Sequence, residues 1–167
     1  GGLGFAVPAT AGLRMACPDR PVVAIVGDGA SLYQIQAMWS AARYEAGALW
    51  IVMANGRYAV MDRLAERTEQ PAPWPAFEEV DVAAVTRGFG CPARRISDHA
   101  ELIAVLDEVM PGLAQRTEPL LLSIDIEPDR RAHLVVAGSE HRGKRPAHAL
   151  LELRVHRALD LGVFGRA

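Results

Sequence analysis

Two uninterrupted apolar runs constrain this chain more than any other feature. Residues 21–26 read Pro-Val-Val-Ala-Ile-Val and lead into Gly27-Asp28-Gly29; residues 48–54 read Ala-Leu-Trp-Ile-Val-Met-Ala and lead into Asn55-Gly56. A strand covered on both faces shows continuous apolar sequence rather than alternation, so both runs are expected as buried parallel strands. The stretch between them is long enough for one crossover helix. Each strand ends in an oxygen-bearing side chain followed by glycine. Adjacent parallel strands place both carboxyl ends on one sheet edge, where open α/β folds bind ligands. A carboxylate and an amide oxygen meeting there suit a hard divalent cation such as Mg2+, which in turn can hold a diphosphate.

The remaining pattern alternates helices and strands. Residues 5–16 are small and alanine-rich, a helix ended by Pro18. The crossover helix is expected over 32–46, with Leu32, Ile35, Met38, Trp39 and Ala42 on one stripe and Gly47 at its C-cap. Helical spacing resumes over 58–67. Pro71, Pro73 and Pro75 then exclude helix and central strand, leaving an extended loop. Asp81 starts a short helix closed by Gly88, and residues 94–96 form a short strand. A further helix opens at 97–101, capped by Ser97 or Asp98, and 120–126 is the last strand. The alternation predicts an α/β fold, a doubly wound, mostly parallel sheet with helices on both faces.

A chain of 167 residues suits one domain with a sizeable core. No apolar run approaches the roughly 20 residues of a membrane helix, so no membrane partner is expected. Cys17 and Cys91 lack Cys-x-x-Cys spacing, which favours reduced thiols and a cytoplasmic location. The chain opens inside a motif, without initiator Met or signal segment, and is expected to be a piece of a longer polypeptide. The net charge of −2 is uneven. Residues 1–128 carry 10 Arg against 16 acids, or −6; residues 129–167 carry eight Arg plus Lys against four acids, or +4. That shift sets a domain boundary near Pro128. The region 129–167 reads as a basic, loosely attached tail with one amphipathic helical segment at 147–161. Two origins for it stay open, a natural extension or an out-of-register translation of GC-rich DNA. Its four histidines lack metal spacing, and nucleic-acid binding is not expected.

Gly27-Asp28-Gly29 followed by Asn55 resembles the Mg2+-diphosphate motif of thiamine-diphosphate-dependent enzymes. Residues 1–9, Gly-Gly-Leu-Gly-Phe-Ala-Val-Pro-Ala, resemble the cofactor-domain entry of the benzoylformate-type decarboxylase branch. The similarity covers roughly residues 1–128 and includes 37–44 and Asn55-Gly56-Arg57-Tyr58. It implies the thiamine-diphosphate-binding fold, with thiamine diphosphate and Mg2+ as cofactors. Asp28, Asn55 and the main-chain carbonyl of Arg57 would hold the metal, and two diphosphate oxygens and a water would complete its octahedron. Ala54 replaces the first of the family's frequent pair of Asn, leaving the second, Asn55, as ligand.

Around the metal, the resemblance implies further roles. Gly27, Gly29, Ala30 and Ser31 bring a helix start to the diphosphate. Gly1 and Gly2 permit close backbone approach, and Leu3 is the bulky wedge under the cofactor. Tyr33, Tyr58, Ala59 and Val60 lie beside the diphosphate, while Met61 and Leu64 line the substrate pocket. The substrate would be a small 2-oxo acid. The glutamate that activates the cofactor and the substrate-handling histidines belong to pyrimidine-binding and central domains outside this chain. No catalytic residue is therefore expected here, the chain alone should be inactive, and the full enzyme would be a homodimer or homotetramer. Two other readings stay open, a carboligase domain of the acetolactate synthase type and a truncated, non-catalytic α/β binding module.

Overall fold

In the computed structural model, which describes residues 2–67 and 74–127, four strands form one parallel sheet. They are β1 (Val23–Gly27), β2 (Leu49–Ala54), β3 (Ala93–Ile96) and β4 (Leu120–Asp125), in the spatial order β1–β2–β4–β3. The two apolar runs are neighbours in register, Val23 opposite Leu49 and Gly27 opposite Met53. Six helices connect and cover the strands: α1 (Ala6–Ala16), α2 (Asp28–Leu32), α3 (Ala37–Arg43), α4 (Ala59–Arg67), α5 (Val82–Gly88) and α6 (His99–Val109). A 3-10 turn, Met110–Gln115, follows α6. The expected boundary near Pro128, the tail 129–167 and its helix 147–161 lie outside the described residues, as does Gly1.

Side chains alternate across the sheet, so the central strands β2 and β4 feed two cores. On one face Ala24, Trp50, Val52 and Leu121 pack with Val7 and Ala11 of α1, Met38 and Ala41 of α3, and Val82 of α5. The Trp50 indole N–H donates to the Val7 carbonyl at 3.3 Å, tying β2 to α1. On the other face Ile51, Leu122 and Ile96 are fully buried, and α6 packs on β3. The fold class read from the sequence is the one observed.

Four local expectations change. The crossover is two helices, because residues 33–38 run on i to i−3 bonds such as Ala37 N–H to the Gln34 carbonyl at 3.0 Å. That tighter winding shifts the helical phase. The buried stripe becomes Ile35, Met38 and Ala41, and Trp39 turns outward at 52% exposure. Strand β1 is covered on one face only. Ile25, expected inside, is 48% exposed, since no described helix crosses β1 on that side. Gly47 is not the left-handed cap; Glu45 takes that conformation, with φ 52. Gly47 is required because a Cβ there would run into the main-chain carbonyl of Arg116.

The two outer strands differ. Among the described residues β1 pairs only with β2, and its sequence Val-Ala-Ile-Val-Gly carries no charge. At the opposite edge β3 carries Arg94, paired with Glu108 at 3.3 Å, and Arg95, paired with Asp125 at 3.0 Å. Both helix starts read from the sequence have their caps, and the one left open is settled. Asp81 caps α5 by accepting the Ala84 N–H at 2.9 Å, and Asp98, rather than Ser97, caps α6 by accepting the Glu101 N–H at 3.0 Å.

Buried Arg14, on α1, finds no carboxylate among the described residues. Its guanidinium donates to the main-chain carbonyls of Arg20 at 2.5 Å, Ala114 at 2.8 Å and Arg116 at 2.8 Å. A planar fork with several donors is the side chain that can hold three carbonyls at once. It fastens α1 to the segment entering β4.

Candidate cofactor and metal site

Parallel pairing of β1 and β2 brings their carboxyl ends together. Asp28 follows β1 directly and opens α2; Asn55 follows β2. The Asp28 carboxylate is almost wholly buried, 4% exposed, and reaches across to the β2 turn. Its Oδ2 accepts the N–H of Asn55 at 2.8 Å and of Gly56 at 2.7 Å, and its Oδ1 accepts the N–H of Gly29 at 2.7 Å. Burying a carboxylate is costly unless it is hydrogen-bonded, and three backbone donors meet that cost. Asn55 folds its own turn: its Oδ1 accepts the Arg57 N–H at 3.1 Å. Gly56 has φ 68, a left-handed conformation, and a Cβ there would fall 2.9 Å from Glu78 Cα.

The start of α2 is equally tight. Gly29 is buried, and a Cβ on it would fall 2.5 Å from Cε1 of Tyr58 and 3.1 Å from Cζ of Phe77. Tyr58 and Phe77 meet edge to face with ring centroids 5.0 Å apart. Burial pushes the Tyr58 hydroxyl above its ordinary range, and a hydrogen bond with Tyr33 and the Asp28 charge push the same way. Ser31 is buried and donates to the Asp28 carbonyl at 2.7 Å, while Gly27 and Ala30 flank the turn. The structure thus gathers Gly27, Asp28, Gly29, Ala30, Ser31, Tyr33, Asn55, Arg57 and Tyr58 at one end of the sheet.

The entry segment also reaches this end. Gly4, with φ 85, packs so closely that a Cβ would lie 2.9 Å from both Tyr33 Cβ and Gln34 Cγ. Leu3 beside it is 60% exposed, and Gly2 is open to solvent. Ala59 and Val60 begin α4, with Val60 71% exposed. Met61 and Leu64 share that outer stripe. The opposite stripe of α4, with Asp62, Ala65 and Glu66, instead lines a cavity of about 340 Å³ closed by Arg57 and Trp74. Met61 and Leu64 do not line it.

A further segment joins the turn that sequence reasoning did not single out. The Phe77 N–H donates to the Gly56 carbonyl at 2.7 Å, and Glu78 pairs with Arg57 at 2.9 Å. Trp74 donates its indole N–H to Asp62 at 2.7 Å. These contacts span 12 to 21 residues of sequence and have no periodic signature; the only local sign is the acidic pair Glu78-Glu79 following a proline-rich stretch.

The donors fit a small hard cation. Among the described residues no group of three His, Cys, Asp or Glu side chains comes together. What the turn offers is one carboxylate, one side-chain amide oxygen and one main-chain carbonyl. Mg2+ is held by such a sparse oxygen set when phosphate and water supply the rest.

Comparison with known proteins bears on the same residues. Residues 1–124 match the family described as thiamine pyrophosphate enzyme, C-terminal TPP binding domain. The benzoylformate decarboxylase of Pseudomonas aeruginosa is 36% identical over 132 residues, which is 77% of this chain and 24% of that protein. An acetolactate synthase large subunit of Parasynechococcus marenigrum is 31% identical over 121 residues, 68% of this chain and 19% of that protein. Among solved structures, the thiamine diphosphate-dependent 4-hydroxybenzoylformate decarboxylase of Rhodococcus jostii RHA1 superposes with a TM-score of 0.69. It is 26% identical, with 76% of this chain and 24% of that chain covered. The chain spans about a quarter of the length of the relatives it matches. It belongs to the thiamine pyrophosphate enzyme family and constitutes its C-terminal, cofactor-binding domain.

Proposed function

We propose that this domain holds the diphosphate of thiamine diphosphate through Mg2+, on behalf of an enzyme that acts on a 2-oxo acid. The observation that carries the reading is the Asp28 carboxylate seated on the Asn55–Gly56 turn at the shared carboxyl end of two parallel strands. Asp28, Asn55 and the Arg57 carbonyl would hold the metal. Gly29, Ala30 and Ser31 at the start of α2, with Tyr33 and Tyr58, would meet the diphosphate. When bound, thiamine diphosphate supplies the electron sink for cleaving the bond next to a 2-oxo carbonyl. The residues of this chain would bind and orient it, and the burial of Asp28 and Gly29 would limit access of water to the metal. Leu3, exposed beside Tyr33, is the candidate wedge, and the outer stripe Val60, Met61 and Leu64 is the candidate wall of the substrate site.

The remaining parts of the proposal concern the whole enzyme. Pyrimidine-binding and central domains would complete the site, in a cytoplasmic homodimer or homotetramer, and this domain alone would not turn over substrate. A decarboxylase of the benzoylformate type is favoured by the 36% identity; a carboligase of the acetolactate synthase type is the second reading, favoured by the 31% match. Titration calorimetry tests the core of the proposal. Thiamine diphosphate should bind with Mg2+ and not in EDTA, and Asp28→Ala should abolish binding. Equal binding in EDTA would overturn the metal's part.

A further inference from the structure

Asp28 does more at this turn than offer a negative charge. Its two oxygens are unequally engaged: Oδ2 accepts both turn amides, Asn55 at 2.8 Å and Gly56 at 2.7 Å, whereas Oδ1 accepts only Gly29 at 2.7 Å. An ionised carboxylate has about four lone-pair sites, two on each oxygen. Oδ2 is therefore filled by the turn, and Oδ1 keeps one site open.

We propose that the two oxygens have separate duties. Oδ2 is a latch that builds the Asn55–Arg57 turn with or without a metal, and Oδ1 alone is the oxygen offered to a cation. The latch rests on the geometry; the duty of Oδ1 rests on the metal-binding reading above.

The turn needs such a latch. Gly56 has φ 68, and it presents its N–H together with that of Asn55 toward one point, a concavity built for an anionic oxygen. From the other side the Phe77 N–H closes on the Gly56 carbonyl at 2.7 Å, and Asn55 Oδ1 is drawn to the Arg57 N–H. Only Asp28 joins this turn to the end of β1 through a side chain, among the bonds of the described residues. Without Oδ2 the two amides face a half-buried space with no acceptor, an arrangement that native structures avoid. Asp28 is thus a positioning residue for Asn55 and Arg57 as well as a ligand candidate.

Asparagine at 28 separates the duties. Its carboxamide oxygen can keep both turn amides, but its NH2 then points at the Gly29 side, where a cation would need an oxygen. The test is amide hydrogen exchange by NMR on the 15N-labelled full chain in EDTA, paired with Mn2+ binding in the presence of thiamine diphosphate followed by electron paramagnetic resonance. Asp28→Ala should speed exchange at Asn55 and Gly56 by about tenfold or more, with Ile51 and Val52 in β2 as references for global opening. Asp28→Asn should restore protection to within about threefold of the parent while leaving Mn2+ unbound. Should Asp28→Ala unfold, the asparagine variant and Asn55→Ala, which spares all three Asp28 bonds, carry the comparison. Unchanged exchange in Asp28→Ala, or asparagine exchange as fast as in an unlatched turn, overturns the latch. Mn2+ bound normally by Asp28→Asn overturns the duty of Oδ1. A parent chain that ignores Mn2+ yet loses amide protection in Asp28→Ala upholds the latch and rejects the metal reading.

Discussion

The main-chain carbonyl of Arg116 lies directly against the α-carbon of Gly47, and the Arg14 guanidinium donates to that same carbonyl at 2.8 Å. One backbone oxygen thus joins α1, the entry to β2 and the entry to β4. The contact exists only because position 47 lacks a side chain. Replacing it with alanine puts a methyl group into backbone atoms of Arg116 and Thr117, which cannot rotate away. Gly47→Ala should cost about 2–4 kcal/mol. Urea unfolding gives the number, and a loss under about 0.5 kcal/mol would refute the contact.

Arg14 should not tolerate lysine. One ammonium cannot span the carbonyls of Arg20, Ala114 and Arg116, and at least one is left without its donor at a partly buried site. Such an orphan costs about 1–3 kcal/mol, so Arg14→Lys should lose that much despite keeping its charge. Because Arg14 and Gly47 meet at one oxygen, their substitutions should be non-additive by about 0.5 kcal/mol or more in a double-mutant cycle. Simple additivity would place the two contacts in separate units.

Thr86 offers the opposite case. It is fully buried in α5, and its hydroxyl has no hydrogen-bond partner among the described residues. Removing an unsatisfied polar group while keeping its shape is neutral or favourable. Thr86→Val should therefore raise stability by up to about 1 kcal/mol. Thr86→Ser, which keeps the hydroxyl and deletes the methyl, should lower it by about 1 kcal/mol. Thermal unfolding of both variants decides the matter.

Cys91 makes the fold sensitive to alkali. Burial pushes its thiol up from 9.0 to about 12, with the Glu118 charge adding to the effect. Between those pH values the unfolded chain loses the thiol proton and the folded chain keeps it. Stability from this group is thus complete below pH 9 and falls as pH rises toward about 12, by about 1.4 kcal/mol per pH unit. Cys91→Ala should flatten the slope of unfolding free energy against pH in this window. In the native state a thiol reagent at pH 8 should count one fast thiol, Cys17, which is only half-buried.

Much of this architecture is legible in the chain itself. The runs 21–26 and 48–54 dictate adjacent parallel strands because their apolar continuity admits burial on two sides. Gly-Asp-Gly and Asn-Gly mark the edge where they end. What sequence periodicity misses is a change of local winding in one case and contacts between residues distant in the chain in the others. Trp39 follows the helical stripe on paper, but the i to i−3 winding over 33–38 rotates it outward. Ile25 belongs to an apolar run, yet its exposure depends on what crosses β1 rather than on its neighbours. Gly47 looks like a helix cap, and its real reason sits near residue 116. Phe77 and Glu78 reach the Asn55–Arg57 turn across a proline-rich stretch, with the acidic pair Glu78-Glu79 as their one local trace.

The contrast between the outer strands has a consequence for how the molecule can be extended. At β3 the arginines Arg94 and Arg95 stand guard, each held by an acid. Charge at a strand's margin discourages another chain from pairing there. At β1 nothing comparable stands: the strand is uncharged, its outer groups pair with no described strand, and Ile25 lies open beside them. The sheet is therefore directional. Among the described residues its charged edge is β3, so strand addition is favoured at β1, close to the end that carries Asp28.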